Sequence, residues 1–185
     1  MSDQNILDIK QPEVKIEINI NRLPQLFNSL DPSPFRERDL DRDAEEYIIS
    51  SAEDLSLHKP FTIVIHLPAD QVSAPGASDL GHAIHNHFAY QEMQTRHRLR
   101  LLFRDGRIAF LIGSSFLVTC VLIREVALSV GIHTVAELVA EGVLIIGWVA
   151  MWRPLEIFLY DWWPIRRRCR VLHELSAAPV IVRSK

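Results

Sequence analysis

Apolar and polar residues follow two different rhythms along the chain. "VKIEINI" (14–20) alternates between them, the period of a strand with one covered face. "FTIVIHL" (61–67) is almost continuously apolar and predicts a more buried strand. Between them Leu40, Ala44, Tyr47, Ile48, Ala52 and Leu55 recur at helical spacing with acids on the opposite face, and Asp39 or Asp41 can cap that helix. "SLDPSPF" before it and "PADQVSAPGAS" after the second strand predict turns. A long helix follows, capped by Ser78 or Asp79, with Leu80, Ile84, Phe88, Leu99 and Phe103 as its apolar positions and an interruption at Asp105-Gly106. The two strands are expected to pair in parallel through a helical crossover. Two strands alone leave two open edges, so either the weakly strand-like tail "APVIVRS" or a second chain must complete the sheet.

From Ile108 the rhythm changes to sustained apolarity. "IAFLIGSSFLVTCVLI" (108–123) carries no charge, and continuing through "VALSVGI" gives a run long enough to cross a hydrocarbon layer of roughly 30 Å. A second span begins at Val135 and places Glu137 and Glu141 in its outer turns. Thr134 and Glu137 have capping-box spacing, and Gly131 suits the end of the preceding helix, so "SVGIHT" predicts the turn of a helical hairpin. Arg124 and Glu141 then fall at similar depth, where pairing would lower the cost of holding either charge near lipid.

The resulting plan is an α+β membrane protein. It comprises an α/β domain over 1–90, a basic helical stem over 91–107, a transmembrane hairpin over 108–153, and an interfacial helix with a tail over 154–185. Charge supports the division: residues 1–90 hold 7 Lys/Arg and 15 Asp/Glu, whereas 91–185 hold 13 and 8. Arg96, Arg98, Arg100, Arg104 and Arg107 precede the first span, and Arg166, Arg167, Arg168 and Arg170 follow the second. The positive-inside rule therefore puts both termini in the cytoplasm of a bacterial-type inner membrane. The first residues lack the basic start and apolar core of a secretory signal. Cys120 and Cys169 have no metal-type spacing, and reduced thiols suit a cytoplasm-facing chain.

All four tryptophans lie close together. Trp148 and Trp152 belong at the inner end of the second span, at headgroup level. Beyond Pro154, Leu155, Phe158, Leu159 and Trp162 form one stripe, with Trp163 beside it. This predicts a helix lying in the interface, ended by Pro164 and held to anionic lipid by Arg166, Arg167 and Arg168. The alternative is packing of these aromatics on the protein's own soluble part.

Candidate chemistry is sparse. His82 and His85 share a helical face at metal-ligand spacing, with Asp79 one turn earlier, but no Cys or clear fourth ligand accompanies them. His87 completes "HNH" without implying a nuclease. No Gly-rich phosphate loop, nucleophile elbow or zinc-protease motif is present, so neither catalysis nor a cofactor is expected. The arginines flank apolar spans and lack a recognition motif, which favours lipid over nucleic acid.

Glu137 and Glu141 stand one turn apart, and in an oligomer they could form stacked carboxylate rings at a cation entrance. The order of domain, stem, two spans and acidic entrance resembles that of calcium uniporter pore subunits, which would imply a cation pore. Their Trp-Asp-x-x-Glu-Pro signature is absent, and "WRPLE" has Arg153 in the acidic position. The expectation is therefore a non-enzymatic scaffold or accessory protein that self-associates through its cytoplasmic domain, with other membrane-complex subunits as further partners. The alternative is a homo-oligomeric cation channel.

Overall fold

The computed structural model describes residues 14–29, 31, 34, 38–54, 61–72, 76–129 and 133–185. They form two compact units: residues up to Gln94 together with Arg168–Lys185, and Thr95–Arg167. The expected hairpin turn at 130–132, the Thr134 cap and most of the "SLDPSPF" turn lie outside the described residues or side chains.

The first unit is built on a parallel three-stranded sheet, β1 (Val14–Asn19), β2 (Phe61–Leu67) and β3 (Val180–Ser184), in that spatial order. Ile16 of β1 stands beside Ile63 of β2, and Ile65 beside Val182 of β3. The parallel β1–β2 pair follows the sequence pattern, and the tail supplies the third strand within the chain. Ile63 N–H donates to the Pro179 carbonyl (2.9 Å) and Lys185 N–H to that of Leu67 (2.8 Å), clamping the tail at both ends of β2. β2 is central and nearly all buried, which explains its continuous apolar run.

The β1–β2 crossover contains α1 (Arg42–Asp54). Asp41 starts this helix: its carboxylate accepts from Asp43 N–H (3.0 Å) and its carbonyl from Glu45 N–H (2.9 Å). Ile48, Ile49 and Ala52 form the buried side of α1, while Tyr47 is exposed and donates its hydroxyl to the Glu17 carbonyl at 3.3 Å. After β2 come the single turn α2 (Ala69–Val72), Gly76 in the left-handed region (φ 102°), and α3 (Leu80–Ser129). Gly76 supplies a conformation that a side chain would oppose.

Leu80, Ala83, Ile84 and Phe88 of α3 join the sheet in one core. So do Val171, Leu172 and Leu175 of α6 (Trp162–Ala177). The chain thus leaves this core along α3 and returns to it along α6, with the second unit inserted in the β2–β3 connection.

That second unit contains the rest of α3, then α4 (His133–Ala150), α5 (Trp152–Glu156), a π-helical turn (Ile157–Asp161) and the start of α6. Two departures from the sequence expectation have simple causes. α3 is unbroken at Asp105-Gly106, because one helical glycine costs only about 1 kcal/mol. Pro164 lies inside the first turn of α6 instead of ending a helix; the π-helical turn directly before it is the kind of local adjustment that accommodates a residue without an N–H.

Candidate functional site: an exposed apolar helix pair

Small residues set the approach of α3 to the chain that packs on it. A Cβ added at Gly147 would lie 2.8 Å from Leu117 Cδ1 and 3.1 Å from Cys120 Cβ. One at Gly113 would lie 3.0 Å from the Ala150 carbonyl oxygen, and one at Gly106 would lie 2.7 Å from Ile157 Cγ2. Gly106, Gly113 and Cys120 are spaced by sevens, so they line one face of α3 against the antiparallel returning chain.

The other faces are apolar and uncovered. Leu111, Ile112, Val118 and Leu122 of α3, and Leu138, Ile145, Trp148 and Val149 of α4, are exposed. Both helical stretches are long and apolar enough to cross a membrane, and only 17% of the most apolar 18-residue window in each is buried. A core helix of a water-soluble domain would be mostly covered.

At the other end of this pair the aromatics divide between two roles. Trp152 and Trp163 are exposed, as are Leu159 and Tyr160. Phe158, itself partly exposed, and the half-buried Trp162 have ring centroids 6.4 and 6.5 Å from that of Phe103 of α3, and Ile157 is buried. Phe158 and Trp162 lie at or beside the π-helical turn, four positions apart. Packing on the protein's own chain and an outward aromatic face therefore coexist. Trp162 donates its indole N–H to the Phe158 carbonyl (2.8 Å), and Arg166 lies over its ring at 5.7 Å. Arg153 bonds both Glu156 (3.3 Å) and Asp161 (3.1 Å), spanning the π turn, and Trp152 Nε1–H donates to Glu156 (2.9 Å). Arg167 and Arg168 are exposed.

Arg124 donates to the adjacent Glu125 carboxylate at 2.7 Å. Glu137 and Glu141 are exposed on α4, and an Arg124–Glu141 pair is not among the ion pairs of the described residues. Next to Glu141, a Cβ on Gly142 would meet no atom within 4 Å.

The histidines of "GHAIHNH" take separate places in the structure. His82 is exposed, whereas His85 Nε2–H donates to the Ala178 carbonyl at 2.7 Å, fastening the entry to β3. Among the described residues no group of three or more His, Cys, Asp or Glu side chains could hold a metal ion.

His87 holds the polar centre of the first unit, a role the sequence pattern did not assign. Its side chain is 2% exposed, with Asp39 Oδ1 3.0 Å from Nδ1 and Glu45 Oε2 3.2 Å from Nε2. A protonated ring donates to both carboxylates, whereas a neutral ring donates to one. Leu40 N–H also approaches Nδ1 at 3.4 Å, so a neutral ring that accepts there must give up Asp39. The His87 hydrogen bond holds the Glu45 carboxyl below its usual range; burial opposes this, and the charges of His87 and Arg168 assist it. Glu45 also borders an open groove of about 410 Å³ between Arg42, Glu46, Glu53 and Arg168, floored by Ile49. The available signal for His87 was its place beside Ala83, Ile84 and Phe88 on the buried face of α3.

No protein-family model, curated protein or solved structure matches this chain.

Proposed function

We propose that this chain is a multi-pass protein of a bacterial-type inner membrane, crossing twice with both termini in the cytoplasm. It acts as a non-enzymatic scaffold or accessory component of a membrane complex. The observation that carries this reading is the uncovered apolar surface on two helices long enough to span a bilayer. Chain topology supports it: α3 and α6 both end in the same α/β core, so the inserted segment crosses an even number of times or not at all. The arginines before and after the apolar segments orient both ends toward the cytoplasm. Self-association belongs to the proposal in an altered form. The tail already fills the third strand position, so assembly uses the remaining outer edges of β1 and β3.

Alkaline carbonate extraction of membranes from expressing cells tests the embedding. Retention in the pellet is expected, and release as a soluble protein would overturn it. Native mass spectrometry in mild detergent tests assembly. One closed oligomeric state is expected, and a monomer would replace self-association by a different partner subunit.

Glu137 and Glu141, exposed on an otherwise apolar helix, favour a cation channel as the second reading. Changing both to Gln should then abolish cation flux in liposomes while leaving assembly intact. An absence of flux in the unaltered protein removes that reading.

A further inference from the structure

We propose that Arg100, Arg107 and Arg166, gathered around the Phe103–Trp162 pair, form a site for the phosphate headgroup of an anionic phospholipid. The inference rests on the membrane reading above and assigns it a specific lipid contact.

Two chain segments meet at this point. The Phe103 ring lies 6.5 Å from Trp162 and 6.4 Å from Phe158, and Gly106 admits Ile157 against the backbone of α3. Arg100 precedes Phe103 by three residues and Arg107 follows it by four, so both share its helical face. From the opposing segment Arg166 stacks its guanidinium 5.7 Å from the Trp162 ring centre. Arg100 and Arg107 by helical position, and Arg166 by its stacking, thus put three cations on the two segments that meet at one aromatic pair, and an anion bound there would lower the cost of holding like charges together.

Comparison with neighbouring arginines sharpens the point. Arg104 has Asp105 at 3.6 Å, Arg124 has Glu125, and Arg153 has both Glu156 and Asp161. Arg100, Arg107 and Arg166 are exposed, and among the described residues none of them has a carboxylate in ion-pair range. Guanidinium groups suit phosphate because their planar donors engage two oxygens at once. A stacked arginine keeps its N–H edges free for such an anion. Location selects the source of the phosphate. Arg107 immediately precedes the uncharged apolar run, which places the site where a headgroup meets the hydrocarbon layer. The aromatic pair offers the lipid's glycerol region an apolar shelf.

The test uses the full chain in mild detergent, with phosphatidylglycerol or phosphatidylcholine added and bound lipid counted by native mass spectrometry. Phosphatidylglycerol should be retained preferentially. An Arg100→Gln/Arg107→Gln/Arg166→Gln variant should lose roughly tenfold or more of that retention. The comparison variant Arg98→Gln/Arg170→Gln/Arg183→Gln removes the same charge elsewhere and should lose much less. Equal losses in the two variants would replace the site by diffuse attraction and overturn the proposal. Displacement of the lipid by an equal concentration of inorganic phosphate would also overturn it, as would tighter binding of single-stranded RNA than of lipid. Carbonate extraction separates the two levels. A soluble chain defeats the membrane reading, whereas an embedded chain indifferent to phosphatidylglycerol defeats this site alone.

Discussion

A carboxylate on each imidazole nitrogen makes His87 the side chain most exposed to the consequences of losing one partner. Asp39 comes from the segment before α1 and Glu45 from its first turn, so the ring ties both to α3. Removing a partner from a buried charged hydrogen bond costs about 2 kcal/mol. His87→Phe, which keeps the volume but strands Glu45, should lower the apparent Tm of the detergent-solubilised chain by roughly 5–10 °C. An unchanged Tm would mean the cluster contributes nothing to stability. Glu45 has a definite sign with pH. Its folded pKa lies below the usual 4.5, so its contribution is complete above the unfolded value and is lost as pH falls through the folded one. Tm measured downward from about pH 5 should therefore fall more steeply for the unaltered chain than for Glu45→Gln. Parallel curves would remove the linkage. The buried face carrying His87 is legible in the sequence from Ala83, Ile84 and Phe88. Its acceptors are not, because they lie 48 and 42 residues away and only the tertiary fold brings them together.

Among the elements, glycine carries two meanings that composition cannot separate. Gly106 suggests a break in the sequence, yet in the structure it is a close-packing position, as are Gly113 and Gly147. Gly142 lies on α4 with open space around it. The seven-residue spacing of Gly106, Gly113 and Cys120 is present in the sequence, but its meaning depends on which face meets the returning chain. Gly113→Leu should therefore destabilise the pair by about 1–3 kcal/mol, since the obstructing atom is a backbone oxygen that cannot turn aside. Gly142→Ala should be neutral or mildly stabilising, because alanine favours the helix and meets nothing. Protease resistance in detergent across both variants measures the difference, and equal resistance would refute the packing assignment. Pro164 illustrates the same limit: proline can end a helix or open one, and the choice depends on what precedes it. Here a π turn leads into α6.

Taken as one molecule, the chain closes its sheet only after the entire helical unit has been made. β2 ends at Leu67 and β3 starts at Val180, so the parallel partner of a central strand lies on the far side of the insertion. That separation is why "APVIVRS" is a weak strand signal: five residues with a mixed burial pattern carry no local mark of their partner. The α/β core, the parallel β1–β2 pair and the two apolar stretches are legible because each rests on local period. The closing strand is legible only as a weak candidate in "APVIVRS", and its pairing with β2 rests on topology.

Ending the chain after Ala178 therefore gives a sharp test. It would remove the strand beside β2 while leaving α6 and every apolar helix in place. Ile63 N–H would lose the Pro179 carbonyl, and the Leu67 carbonyl would lose Lys185 N–H. Hydrogen exchange of the shortened chain in detergent should then show fast exchange at Ile63 and Ile65, with the apolar part of α3 still protected. If β2 stayed as slow as in the intact chain, another segment would be covering its edge. The sheet would then not depend on the chain's return from the helical unit.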